Sequence, residues 1–206
     1  MLTKNRLESF SDGIFSITAT LLVLNINLPI TKIHSGEQLE NMLYRVLPNL
    51  FTFIFTFLVI GTFWVAHNRI ISIVRQVDHF ILWSNLFYLL TIAIIPFPAS
   101  LLAQYPTFTI AIIFYSSILF LCGIQQIIMI VYLHKHSAQI EKDFSRATFN
   151  NSIKIAAVGP TCYLLTIISS TWSVILSFCF IIAVVVFYIF FAPRLVKNIP
   201  LIFYYK

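Results

Sequence analysis

Charge is what this sequence has least of. Asp, Glu, Lys and Arg make up 10% of its 206 residues, against roughly 25% in an ordinary soluble domain. Hydrophobic residues make up 59%, and the mean hydropathy is +0.92. Such a chain cannot cover itself with polar surface in water, which excludes a soluble globular domain. Also missing is the alternation of polar and apolar residues over about ten positions that a membrane β-strand requires. Cysteine is sparse too: Cys122, Cys162 and Cys179 fall inside apolar runs with no metal-ligand spacing between them, which points to packing.

What is present is a series of apolar runs of about 20 residues, each long enough to cross a hydrocarbon core of roughly 30 Å. In lipid every backbone group must be satisfied within the protein, and runs that are apolar all round do so as helices. The expected fold is therefore an all-α integral membrane protein with six transmembrane helices, over about 6–28, 46–67, 80–102, 108–133, 153–170 and 172–192. The whole chain, 1–206, reads as one six-span unit. Asn5 with Glu8 three residues later gives a capping signal for the first helix, and Pro29 closes it. Pro96 and Pro98 predict a kink in the third, and Gly159-Pro160 interrupts the fifth. The longest polar stretch, roughly Lys135 to Asn151, is too short for a soluble domain.

The charges that exist are placed unevenly. With a cytoplasmic N-terminus, eleven of the 13 Lys and Arg residues lie on the cytoplasmic side, leaving Lys32 and Arg45 outside. This bias predicts both termini inside and explains the net charge of +6 without nucleic acid. Lys4 and Arg6 before an apolar stretch resemble a signal peptide, but the stretch is too long and no small-x-small cleavage site precedes Pro29. The acceptor triplet Asn150-Asn151-Ser152 falls on the cytoplasmic side by the same count. His134, His136, Glu141 and Asp143 cluster in the linker, but their spacing matches no tight metal site and reads as a solvated loop. Trp83 and Trp172 read as interfacial anchors.

An ionisable residue within a span costs about 2.5 to 3.5 kcal/mol at the bilayer centre on insertion scales, so it usually has a partner. Asp12 and His67 are the two that stand out, and topology alone places them at similar depth. Around them, Arg6, Phe10, Ser11 and Asp12 form R-x-x-x-F-S-D at the head of the first span, and the second span ends Phe63-Trp64-Val65-Ala66-His67-Asn68. This pattern resembles the bacterial branch of the endosomal and lysosomal potassium channel family, transmembrane protein 175.

That resemblance implies a cation channel selective for potassium, with the first helix lining the pore and a constriction of branched aliphatic residues. It also implies a homotetramer in bacterial members and an F-S-D motif that ties the first helix to its neighbours. The motif occurs once in this chain, so one copy supplies one pore helix and self-association is required. At 100° per residue Ile17, Leu21, Leu24 and Leu28 share one stripe with Thr20 at its border, and Asp12 points roughly 140° away from Ile17. The expected constriction is Ile17, Leu21 and Leu24, with Thr20 as a candidate pore-lining hydroxyl. The expected inter-helix network is Arg6, Phe10, Ser11, Asp12, Trp64 and His67.

No T-V-G-Y-G carbonyl filter is present, so selectivity by backbone oxygens of that kind is unsupported. No cofactor and no metal are expected; the partners are a lipid bilayer, further copies of the chain and permeant potassium ions, in a bacterial plasma membrane. A secondary transporter is a weaker alternative, lacking paired broken helices in matching halves. An intramembrane enzyme is weaker still, since no Ser or Cys nucleophile is coupled to Asp12 and His67.

Overall fold

The computed structural model describes residues 3–26, 35–136 and 146–196. Six helices are long and apolar enough to cross a membrane, and no strand occurs among the described residues. The first is α1, Lys4–Leu21, which tightens into a 3₁₀ turn over Leu22–Asn25. Its N-cap is Thr3, with no side-chain hydrogen bond to the cap. The expected capping pair does not form, because Asn5 already lies inside the helix and its carbonyl accepts from the Ser9 hydroxyl. The expected stop at Leu28 and Pro29 lies outside the described residues.

The second helix, α2, runs Gly36–Ser72 and is capped by the Ser35 hydroxyl, which accepts from the Gln38 amide at 3.3 Å. It begins ten residues before the expected span. At 1.5 Å per residue it is about 55 Å long, so its first turns, with Glu37, Glu40 and Arg45, project beyond the hydrocarbon. Pro48 lies inside it without ending it.

The third span divides at the predicted kink into α3, His79–Ile94, and α4, Pro96–Gln104. Pro96 has no N–H to continue the ladder, and the Ile92 carbonyl accepts from Ile95 instead. Next come α5, Thr109–Lys135, and α6, Arg146–Ser169, which starts within the stretch read as polar linker and continues through Pro160. Then α7, Val174–Val186, passes through a wide π turn at Phe187–Phe191 into α8, Ala192–Val196.

Helix α5 stands at the centre of the bundle, packed most extensively on α6 and also on α3 and α4, while α1 leans on α2 and α3. One core cluster joins Phe15, Ile60, Phe63, Tyr88, Ile92, Tyr115, Leu119 and Tyr163. A second gathers Leu7, Ile71, Val74, Ile81, Met129 and Leu133 toward the end of the bundle where α1 begins. The Lys4 ammonium closes that end by donating to the Ser72 carbonyl at 2.7 Å.

Candidate pore helix and its latch

Helix α1 has two unlike faces. Leu7, Ser11, Phe15 and Thr18 are buried, at the three- and four-residue spacing of one helical stripe. Around the helix from them, Ile17, Leu21 and Leu24 are 56%, 46% and 68% exposed in the single chain. Phe15 and Ile17, two residues apart, thus fall on opposite sides. Arg6 and Phe10 lie within about 20° of the Ile17 direction by the same helical arithmetic, and both are exposed.

The buried face is fastened by a directional chain of hydrogen bonds. The Ser11 hydroxyl donates to the Leu7 carbonyl at 2.8 Å, so its oxygen is left to accept from the Asn85 amide at 3.1 Å. The Asn85 carbonyl oxygen then accepts from His67 Nε2 at 2.6 Å. This order places a proton on His67 Nε2. The ring lies parallel to Tyr88 at 5.5 Å and is also packed against Phe15. Its Nδ1 has no hydrogen-bond partner among the described residues. Beyond it, Gln126 donates to the Tyr88 hydroxyl at 2.8 Å and to the Phe63 carbonyl at 3.3 Å. Helices α1, α2, α3 and α5 are therefore joined through side chains that no lipid could replace.

Asp12 takes a separate contact. Its Oδ1 accepts from the Trp64 indole at 2.8 Å, and the residue stays exposed in the single chain. Of the six residues expected to form the network, Ser11 and His67 meet through Asn85, Asp12 and Trp64 pair directly, and Arg6 and Phe10 lie outside these contacts. Sequence reasoning missed Asn85, Tyr88 and Gln126. The available signal was an uncharged amide inside an apolar run, on the same stripe of α3 as Ile81, Tyr88 and Ile92, all buried here.

Thr20 lies on the exposed side. Its hydroxyl is within hydrogen-bond reach of the Ser16 carbonyl at 2.9 Å and the Ile17 carbonyl at 3.0 Å, so the proton goes to the backbone and the oxygen keeps a lone pair outward. His134 stacks on Phe149 at 3.9 Å and His136 on Tyr132 at 4.1 Å. No metal-ligand cluster occurs among the described residues, and Glu141 and Asp143 lie outside them.

Comparison with known proteins defines the class. A sequence profile described as "Endosomal/lysosomal potassium channel TMEM175" matches residues 6–96. A protein of Chamaesiphon minutus named as a potassium channel is 35% identical over 190 residues, 87% of this chain and 91% of its own length. The crystal structure of a lysosomal potassium-selective channel TMEM175 homolog from Chamaesiphon minutus superposes with a TM-score of 0.79 at 32% identity, over 93% of this chain and 97% of that one. The human protein named endosomal/lysosomal proton channel TMEM175 is 27% identical over 186 residues, 87% of this chain but 36% of its own length.

The protein is thus a multi-pass α-helical membrane protein of the ion-channel class, not an enzyme. Within that class, the chain belongs to the TMEM175 family.

Proposed function

We propose that this chain is a potassium-permeable channel subunit of a bacterial plasma membrane. It assembles as a homotetramer around a pore lined by α1, with both termini in the cytoplasm. The observation that carries the reading is the division of α1: one face is locked to α2 and α3 through Ser11 and Asn85, while Ile17, Leu21 and Leu24 stand exposed on the other. A helix fixed from behind and bare in front can serve as a pore stave, and one stave cannot enclose a pore. The relatives named as potassium channels supply the ion, and the charge bias of the loops supplies the orientation.

Rings of Ile17, Leu21 and Leu24 form the constriction in this reading, which repels water in a narrow bore. Thr20, with its oxygen turned outward, offers a ring of acceptors beside it. Asp12 is a positioning residue for α1 through Trp64.

The test is reconstitution into liposomes with a potassium gradient, followed by flux and reversal-potential measurements. The expected result is passive potassium flux without a coupled ion. Ile17→Asn, which wets the first ring, should raise the current and lower the preference for potassium over sodium. Unchanged conductance and selectivity in well-assembled Ile17→Asn channels would show that the pore face is wrongly assigned.

A further inference from the structure

Helix α1 is fastened to the third span at both ends. Near its start Ser11 bonds to Asn85; past its far end the Asn25 side-chain amide donates to the Pro96 carbonyl at 3.1 Å. A carbonyl oxygen only accepts, so the nitrogen of the Asn25 amide is the group turned toward it. Pro96 opens α4 at the kink. We propose that Asn25 is a positioning residue for the outer end of the pore, tying the Leu24 ring to the bend in the third span; the proposal rests on α1 being the pore helix.

The 3₁₀ turn over Leu22–Asn25 makes this bond reachable. At 100° per residue an α-helix would carry Asn25 only about 80° around from Ile17, onto the flank of the pore-facing stripe. In a 3₁₀ turn residues three apart eclipse, so Asn25 instead takes the direction of Leu22, about 140° from Ile17. Leu22 is buried, and Ser11 lies about 120° around on the same side. The same turn leaves Leu24 about 20° from Ile17, where it is exposed. One local tightening thus sends the amide back to the third span while Leu24 stays on the stripe.

Ser11 precedes Asn25 as Asn85 precedes Pro96, so the first and third spans run in the same direction and the two bonds are rungs between them. Ile17, Leu21 and Leu24 stand between the rungs. The lower rung fixes rotation where α1 begins, but Leu24 lies about 20 Å farther along the axis. The upper rung is one residue from it. Because Pro96 cannot continue the ladder of α3, the bend there sets where its carbonyl points, and Asn25 passes that position to the end of α1. Without the bond, a 3₁₀ turn with its poorer hydrogen-bond geometry is all that holds this end. It then splays, and the ring at Leu24 widens.

The test is Asn25→Leu, which removes the donor at similar volume, in channels reconstituted into planar bilayers. Losing one net hydrogen bond shifts the balance between held and splayed ends about fivefold. Unitary potassium conductance should rise, and the preference for potassium over sodium should fall by up to that factor. Asn25→Gln keeps a donor and should retain the wild-type preference. The thermal midpoint in detergent is measured alongside, because a merely structural bond would lower it and leave permeation alone. Unchanged permeation in Asn25→Leu, with or without a lowered midpoint, would overturn the proposal, as would Asn25→Gln channels altered as much as Asn25→Leu ones. Where Asn25→Leu does not assemble, Asn25→Ala takes its place, and failure of both would make Asn25 a folding residue instead. Permeation altered by Ile17→Asn and not by Asn25→Leu would remove the upper rung's role and leave the pore reading standing. Permeation that neither substitution alters would remove both.

Discussion

The front of the molecule, α1 to α3, and the back, α5 to α7, are joined by different means. In front, helix meets helix through side chains that depend on one another: His67, Asn85 and Ser11 form one chain of donors and acceptors. In the back, helices approach through shape. Pro160 of α6 sits against Gly123 of α5 so closely that a Cβ on Gly123 would lie 2.5 Å from the proline Cγ. The polar bonds there mostly return to backbone: the Tyr188 hydroxyl accepts from the Gly159 amide at 3.1 Å and donates to the Ile155 carbonyl at 3.0 Å.

The difference follows from what each half must do. A shape contact resists compression but leaves rotation about the helix axis loosely fixed, whereas directional hydrogen bonds fix rotation. In the proposed channel, rotation of α1 decides which residues face the pore, and the family profile covers this front half, residues 6–96. The back half supplies a stable wall for α3 and α4 to lean on.

The sharpest way to break the back half is Gly123→Leu. The added side chain meets a rigid ring, not the flexible end of a side chain, so α5 and α6 must separate. Overpacking of this kind costs typically 1–3 kcal/mol and here about 3 or more. The expected outcome is loss of monodisperse protein on size-exclusion chromatography. Recovery of wild-type yield and thermal midpoint would show that α6 is free to move away from α5.

Second in size is Asn85→Leu in the front half. It removes a donor and an acceptor at once and strands the His67 Nε2–H, while the Ser11 hydroxyl keeps its bond to the Leu7 carbonyl; His67 Nδ1 already lacks a hydrogen-bond partner among the described residues. Leaving buried polar groups unpaired costs about 1–3 kcal/mol. The thermal midpoint in detergent should fall, and assembled channels should lose ion discrimination as α1 loses its rotational lock. A variant with a lowered midpoint and unchanged selectivity would show that the latch stabilises α1 without orienting it.

This contrast also marks what was legible in the sequence. The six spans were, because each is a long apolar run, and the proline kink near Pro96 was, because a missing N–H has a local effect. The first ten residues of α2 were not: Glu37, Glu40 and Arg45 read as loop, although a helix that leaves the bilayer is free to carry charge. The continuity of α6 was hidden as well, since Gly159-Pro160 reads as an interruption until Tyr188, 28 residues beyond Pro160, is seen to occupy the freed backbone groups. At the site, R-x-x-x-F-S-D and the Trp64/His67 pair identified α1 and its neighbour. Asn85 carries no charge and no spacing motif, so the cost of burying an ionisable group does not single out the residue that joins them. Arg6 and Phe10 share the motif of the latch, but helical rotation carries them to the other, exposed face.

The smallest effect is expected from Ser177→Ala, which separates the two kinds of polar contact most cleanly. Ser169 and Ser177 meet at 3.0 Å between α6 and α7, both buried, and in a drawing the pair looks as important as Asn85 and Ser11. Each hydroxyl has an alternative, however: Ser169 reaches the Thr166 carbonyl at 3.2 Å, and Ser177 reaches the Thr166 and Ser173 carbonyls at 3.3 and 3.1 Å. Removing Ser177 leaves Ser169 bonded to backbone, so no buried donor is orphaned. The loss should match the average inter-helix hydrogen bond in a membrane protein, about 0.6 kcal/mol, seen as a small drop in thermal midpoint with assembly and flux unchanged. A drop as large as that of Asn85→Leu would mean that the hydroxyl pair is as directional as the latch, and the distinction between the two halves would fail.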